Sequence, residues 1–157
     1  MPAVGRVGTV PNDRYASLNP GAAAAALHSF PQRYRAVFAA DPTRDPEELA
    51  EHATAHGRTV RDTIAATGDA LEVLGDTLAK VLIADDVALP AAAVGGEVDS
   101  PPRRGVPLRD LLERVDTHAK ATARQIESAT SAAFLRTGTA PNGETVSALD
   151  LARQAVR

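Results

Sequence analysis

The sequence contains no cysteine and no tryptophan, and only five of its 157 residues are aromatic. Without cysteine the chain forms no disulfide, supplies no thiolate ligand to a metal and has no cysteine nucleophile. No stretch approaches the roughly 18 consecutive apolar residues of a membrane span. Residues 1–20 lack the apolar middle region of a secretory signal peptide. We therefore expect a soluble, cytoplasmic protein with no membrane partner.

Alanine is the residue in excess, with 32 copies, and it accounts for nearly half of the apolar residues. Small side chains allow helices to approach closely but fill little volume, so this composition favours one modest helical core over a large sandwich or barrel. The formal net charge is −3. A protein of this charge is not expected to bind nucleic acid in general, because such binding depends on an excess of positive charge.

The chain divides into an N-terminal segment without periodicity and a helical region. Residues 1–18 carry glycine, proline and asparagine among small residues, which predicts a flexible N-terminal arm. Residues 19–157 predict a single helical domain. Its first helix begins at the cap Asn19-Pro20 and is predicted to run to Ala40.

Four further helices follow from capping signals and helical periodicity. Asp45 caps a short helix from Pro46 to about Ala55, and Thr59 caps a helix of about 24 residues whose apolar stripe is interrupted at Thr67 and Gly68. Two more are predicted at about Pro107–Thr130 and from Thr145 to Arg157. No strand is predicted, and residues 85–106 form a long connection that either crosses the end of the helices or is mobile. The fold prediction is all-α: a four-helix up-down bundle with a long crossover between helices 2 and 3 and a short extra helix.

Three of the five aromatic residues form one stripe on the first helix. Phe30, Tyr34 and Phe38 are spaced at i, i+4 and i+8. The simplest interpretation is that they belong to the core. The alternative is that they line a ligand cavity or a subunit interface.

The four histidines are the first candidates for metal chemistry. His52 and His56 have the i, i+4 spacing that places two imidazoles on one helix face, which can bind Zn²⁺ or Ni²⁺. No third ligand is evident, so two solvated histidines are the competing interpretation. His118 lies at the edge of an inward stripe and is either half-exposed or a ligand or base. His28 is not assigned a chemical role.

Two charged pairs complete the candidates. Asp85-Asp86 follows a helix end and is predicted to be solvated rather than catalytic. Arg103-Arg104 lies in a loop rich in proline and glycine, where it either contacts an anion or forms a mobile loop tip.

Two segments together resemble the DinB-like superfamily. The segment Gly57-Arg-Thr-Val-Arg-Asp-Thr-Ile-Ala-Ala-Thr67 is similar to the start of that family's second helix. Arg136-Thr-Gly, followed by Gly143-Glu-Thr-Val-Ser-Ala-Leu-Asp-Leu151, is similar to the approach to its final helix. The branch that the chain resembles is the mycothiol-dependent maleylpyruvate isomerase and thiol-transferase group, over roughly residues 18–157.

The resemblance implies a four-helix bundle, commonly dimeric, with a divalent metal held by three histidines. One histidine comes from the second helix and two come from the last. Here the second-helix position falls near Ala66, which cannot coordinate a metal, and the last-helix positions fall at or beyond Arg157. No metal ligand is therefore identified at the family's positions, and His52, His56 and His118 do not lie there.

Three functions remain open on these grounds. The first is a bundle that has lost its metal site and serves as a binding or scaffolding domain, as a homodimer or with a protein partner. The second is a metal-dependent thiol transferase or isomerase with an unconventional site, which would use Zn or Ni and mycothiol. The third is a module that takes a partner helix into a groove left open by a short last helix.

Overall fold

A computed structural model of the chain describes residues 14–157. Within this range, most of the chain is helical. The helices are α1 (Pro20–Ala39), α2 (Pro46–Ala50), α3 (Val60–Ile83), α4 (Leu108–Ser128) and α5 (Ala148–Gln154), with 3₁₀ turns at Ala91–Val94 and Ala133–Leu135. The strands are β1 (Val87–Ala88), β2 (Thr137–Thr139) and β3 (Thr145–Ser147).

The three long helices are confirmed close to their predicted bounds. The Asn19 side chain accepts a hydrogen bond from the Ala22 N–H at 2.8 Å, and the Thr59 hydroxyl accepts one from the Asp62 N–H at 3.0 Å. Each cap satisfies a backbone donor that the first helical turn leaves without a partner. The capping residues and the apolar period are therefore sufficient to predict where α1 and α3 begin, whereas α4 begins after Pro107 without a side-chain cap.

Helix α4 lies between α1 and α3 and packs against both. Gly68 faces Val115 and Gly75 faces Thr122, so α3 and α4 run in the same direction. Strict up-down alternation is therefore wrong for this pair. Two parallel neighbours require a connection that returns along the helix length, about 30 Å for α4, which explains the long connection at residues 85–106.

The helical fold class is confirmed in part: most of the described chain is helical, but the prediction of no strand is wrong, because these residues include a small sheet of order β1-β2-β3. β1 pairs with β2 in parallel, with Val87 opposite Gly138, and β2 pairs with β3 antiparallel. A Cβ atom at Gly138 would lie 2.6 Å from the Val87 carbonyl oxygen, so glycine allows the two strands to approach. Strands of two or three residues are too short to show an alternating pattern in sequence.

Two predicted helices are shorter than expected. Residues 51–55 were predicted as the end of α2, but Ala53 forms an isolated β-bridge with Thr59, and the His52 carbonyl accepts from the Val60 N–H at 3.0 Å. These bonds turn the chain back into α3. The last helix begins after Ser147, whose hydroxyl accepts from the Asp150 N–H, because residues from Thr145 onward first form β3.

Only part of the predicted N-terminal arm lies in the described range. Residues 14–17 form a turn, and Tyr15 and Leu18 pack against the core. The Leu18 carbonyl accepts a hydrogen bond from Arg153 Nε at 2.9 Å, which connects this segment to α5. Residues 1–13 lie outside the described residues.

Candidate binding groove on helix α3

Phe30 and Tyr34 of the aromatic stripe lie next to each other on the face of α1 that points toward α3. Their rings meet edge to face at 5.5 Å between centroids. They line a cavity of about 270 Å³ whose opposite wall is formed by Thr67, Leu71 and Leu74 of α3. The geometry matches the cavity-wall alternative for these two aromatic residues.

A second cavity, of about 480 Å³, continues along the same helix toward its N-terminus. It lies between α3 and the loop that precedes it, and it shares Thr67 and Ala70 with the first cavity. We call the combined depression the α3 groove. Its lining residues are Phe30, Tyr34, Thr54, His56, Arg58, Thr63, Ala66, Thr67, Ala70, Leu71, Leu74, Ala92, Gln154, Ala155 and Arg157.

The threonines of the α3 groove present methyl groups rather than unused hydroxyl donors. Thr63 Oγ1 donates to the Thr59 carbonyl at 3.0 Å, and Thr67 Oγ1 donates to the Thr63 carbonyl at 2.9 Å. The hydroxyl proton of Thr67 is thereby used, so Tyr34 is the donor in the 3.2 Å hydrogen bond between these two side chains. The α3 side of the groove is consequently apolar, although two of its residues, Thr63 and Thr67, are polar by type.

The charged side chains that line the α3 groove are basic. Arg58 lies at the end near the start of α3, and Arg157 at the end near α5. Arg157 Nη1 donates to Gln154 Oε1 at 3.1 Å. No carboxylate is among the described residues that line the groove.

Phe38 does not share this site, although it continues the same i, i+4 series. Each step of four residues rotates the side chain by about 40° around the helix, so Phe38 faces α4 instead of α3. It is 9% exposed and lines a separate cavity of about 680 Å³ with Leu108 and Leu112. The single predicted stripe therefore divides between two surfaces.

The predicted helix face that would carry His52 and His56 does not exist. Both residues follow the end of α2, where the β-bridge and a turn with Gly57 at φ +76° reverse the chain. His56 lines the α3 groove, whereas His52 is exposed and does not line it. The i, i+4 argument for a metal pair is wrong because it assumed that the helix continued.

The other two histidines face carboxylates. His118 Nε2 lies 4.0 Å from Glu72 on α3, and its side chain is 25% exposed. His28 Nε2 lies 2.9 Å from Glu127 and bridges the exposed surfaces of α1 and α4. The described residues contain no group of three histidines, aspartates or glutamates that could hold a metal ion.

Two ion networks with buried centres hold α3 in place, and the sequence predicts neither of them. Arg61 is 7% exposed; it donates to Glu47, Glu51 and the Val106 carbonyl. Glu47 also accepts from the Leu108 N–H at 2.8 Å, at the start of α4. The hydrogen bond from Arg61 and that from the Leu108 N–H lower the pKa of Glu47.

The second network is centred on Asp69, which is 6% exposed. Ser100 Oγ donates to it at 2.6 Å, Arg103 Nη2 donates at 2.9 and 3.1 Å, and Arg114 Nη1 pairs with it. Burial acts to raise the pKa of Asp69, but the hydrogen bonds from Ser100 and Arg103 and the charge of Arg114 outweigh burial, so its pKa lies below the ordinary value. Spacing gives a signal for Arg61 alone, which borders the apolar stripe. Asp69 is nine residues from Leu78, about 180° around the helix, so the pattern places it opposite the stripe.

Neither interpretation of Arg103-Arg104 includes the contact that the structure shows. Arg103 pairs with the Asp69 carboxylate and thereby fixes the long connection to α3, whereas Arg104 is exposed. Asp85 and Asp86 are also exposed, and Asp86 adopts φ +58° beside β1, where its N–H donates to the Thr137 carbonyl.

Comparison with protein-family models, with curated proteins and with solved structures finds no significant match for this chain. The resemblance to the DinB-like superfamily therefore rests on the two quoted segments alone. None of the helices in residues 14–157 is long and apolar enough to cross a membrane.

Proposed function

We propose that this chain is a non-catalytic binding module, a DinB-like four-helix bundle that lacks the family's metal site and binds a protein partner through the α3 groove. The observation that carries the proposal is the position of Ala66. This residue lines the groove, at the place where the resemblance expects an imidazole. A methyl group cannot donate an electron pair to a metal, but it does leave an apolar surface.

The directions of the helices support the bundle part of the proposal. α3 and α4 are parallel, and α5 runs with α1: Leu149 shares a cavity with Gly21 near the start of α1, and Ala155 shares one with Phe30 and Tyr34 further along. Four helices ordered in this way, with a long connection between the parallel pair, agree with the architecture that the resemblance implies.

The residues of the α3 groove do not fit a three-histidine metal site. His56 is its only imidazole, and α5 has the sequence Ala-Leu-Asp-Leu-Ala-Arg-Gln, with no histidine. A catalytic zinc site normally needs three protein ligands that hold the ion while one position stays open. A metal-dependent thiol transferase or isomerase is the second candidate, and the presence of His56 beside Ala66 in one depression is the observation that favours it.

Metal loading followed by a transfer assay separates the two candidates. The purified chain is incubated with Zn²⁺ or Ni²⁺, dialysed and measured for metal content, then assayed for mycothiol-dependent isomerisation of maleylpyruvate. We expect no stoichiometric metal and no activity above that of free ions. Stoichiometric metal that is lost in His56→Ala but kept in the control His28→Ala, together with thiol-dependent turnover, would establish the enzyme instead.

A further inference from the structure

We infer that the occupant of the α3 groove is an amphipathic α-helix of another protein, with small apolar residues along its buried face and carboxylates along its flanks. This inference rests on the proposed function, because it names the partner chemistry of the same site. It is argued from three features: the helix that already lies beside the groove, the length of the open surface, and the charge of its rim.

Helix α5 shows what kind of element fits between α1 and α3. It packs against both helices. Its C-terminal end reaches the end of the groove, which is lined there by Ala155. Its buried residues are Ala148, Leu151, Ala152 and Ala155, which is the spacing i, i+3, i+4, i+7 of one helix face. A helix with the same Ala and Leu spacing would continue the contacts of α5 along α1 and α3.

The open surface has the length of a short helix. Leu71 and Leu74 are buried, so the accessible lining of α3 runs from Thr63 to Ala70. This is about 10 Å, which corresponds to about two helical turns of an occupant.

The charged residues at the rim of the groove predict the charge of the occupant. Arg58 lies at one end of the groove and Arg157 at the other, and no carboxylate of the described residues lies within ion-pair distance of Arg58. Carboxylates on the flanks of a docked helix would therefore meet unlike charge, whereas lysines there would meet like charge. The apolar stripes of α1, α3, α4 and α5 are already buried in the core, so a second copy offers no such helix from its described residues.

The test uses two synthetic helical peptides of about 16 residues, a length at which an alanine-rich helix is stable enough to be a useful probe. Both carry Ala or Leu at i, i+3, i+4 and i+7; one has glutamate on the flanks and the other has lysine. Binding to the full chain is measured by fluorescence anisotropy at two salt concentrations. We expect the glutamate peptide to bind about 10-fold more tightly than the lysine peptide, with a difference that shrinks at high salt.

Variants of the chain test whether the peptide binds in the α3 groove. Arg58→Glu is expected to weaken binding of the glutamate peptide by about 3- to 10-fold, whereas Arg124→Glu, the same charge change at an exposed site outside the groove, leaves it unchanged. Ala70→Trp fills the groove and abolishes binding. Thr63→Trp, at an exposed position of α3, provides the same blockage with less risk to the fold, which circular dichroism monitors.

Three results would overturn the inference: no binding of either peptide, equal binding of both, or concentration-dependent dimers that Ala70→Trp dissolves, which would assign the groove to a second copy. The metal and turnover assays are independent of these measurements. If neither peptide binds and the chain holds no metal, the inferred helical partner is ruled out but the proposed non-catalytic module is not. Stoichiometric metal together with turnover would rule out the proposed function itself.

Discussion

Replacement of Asp69 by asparagine tests whether the buried ion network holds the long connection against α3. Breaking one partner out of a fully buried ion pair costs about 3–5 kcal/mol. Here the arginine partners are not fully buried, because the side chains of Arg103 and Arg114 are 30% and 29% exposed. Water can hydrate them after the change, so we expect Asp69→Asn to lower the free energy of unfolding by about 2–3 kcal/mol.

Urea unfolding of the native chain and the variant measures this difference. The control is Asp76→Asn, at an exposed position two turns further along the same helix, which is expected to change stability by less than about 0.5 kcal/mol. Limited proteolysis adds a local measurement, since trypsin should cleave after Arg103 or Arg104 faster when Asp69 no longer anchors the connection.

The stability that the Asp69 network contributes should depend on pH in a defined direction. Because the folded pKa of Asp69 is lowered, its carboxylate stabilises the fold above the unfolded value of about 3.9, and this contribution is lost as pH falls through the folded value. The stability gap between the native chain and Asp69→Asn should therefore narrow below about pH 4. A loss at neutral pH no larger than that of the Asp76→Asn control, or a gap that stays constant into acid, would refute the reasoning.

Three further changes probe other contacts. Arg61→Ala removes the donor to the Val106 carbonyl and two carboxylates, and we expect a loss of about 2 kcal/mol in urea unfolding; a neutral effect would mean that the buried guanidinium contributes nothing net. Gly138→Ala places a methyl group against the Val87 carbonyl and should lower the melting temperature, with a loss of about 1–3 kcal/mol; an unchanged melting temperature would contradict the close strand approach. Tyr34→Phe removes the donor to Thr67 but keeps the ring, so calorimetry should show a loss of about 1 kcal/mol or less, and a larger loss would mean that this bond supports the packing of α1 on α3.

The long helices could be predicted because their signals are local. A cap such as Asn19 or Thr59 and an apolar period over 20 or more residues determine where a helix begins and which face it buries. The end of α2 and the start of α5 depend instead on backbone pairing with another segment of the chain, which a local helix signal does not reveal. The β-bridge of Ala53 with Thr59, and the pairing of β2 with β3, are of this kind.

The candidate site was predicted only in part for a related reason. The aromatic spacing gave Phe30 and Tyr34 as cavity residues only as the alternative to a core stripe, and the interruption of the α3 stripe at Thr67 carried no prediction of a site. The sequence does not show that the helix ends before His52, nor that Arg61 and Asp69 are buried with partners from residues 47–51 and 100–114. A charged residue outside the apolar stripe of a helix is buried or solvated according to partners that lie far away in the chain.

The most direct test of the α3 groove as the binding surface is hydrogen–deuterium exchange of the full chain with and without the glutamate-flanked peptide. The account predicts slower exchange on binding in residues 30–37 and 63–74, while the segment around Leu108 and Leu112, which lines the separate cavity with Phe38, keeps its free rate. Protection confined to that separate cavity, or unchanged exchange along α3 when the peptide is bound, would contradict it.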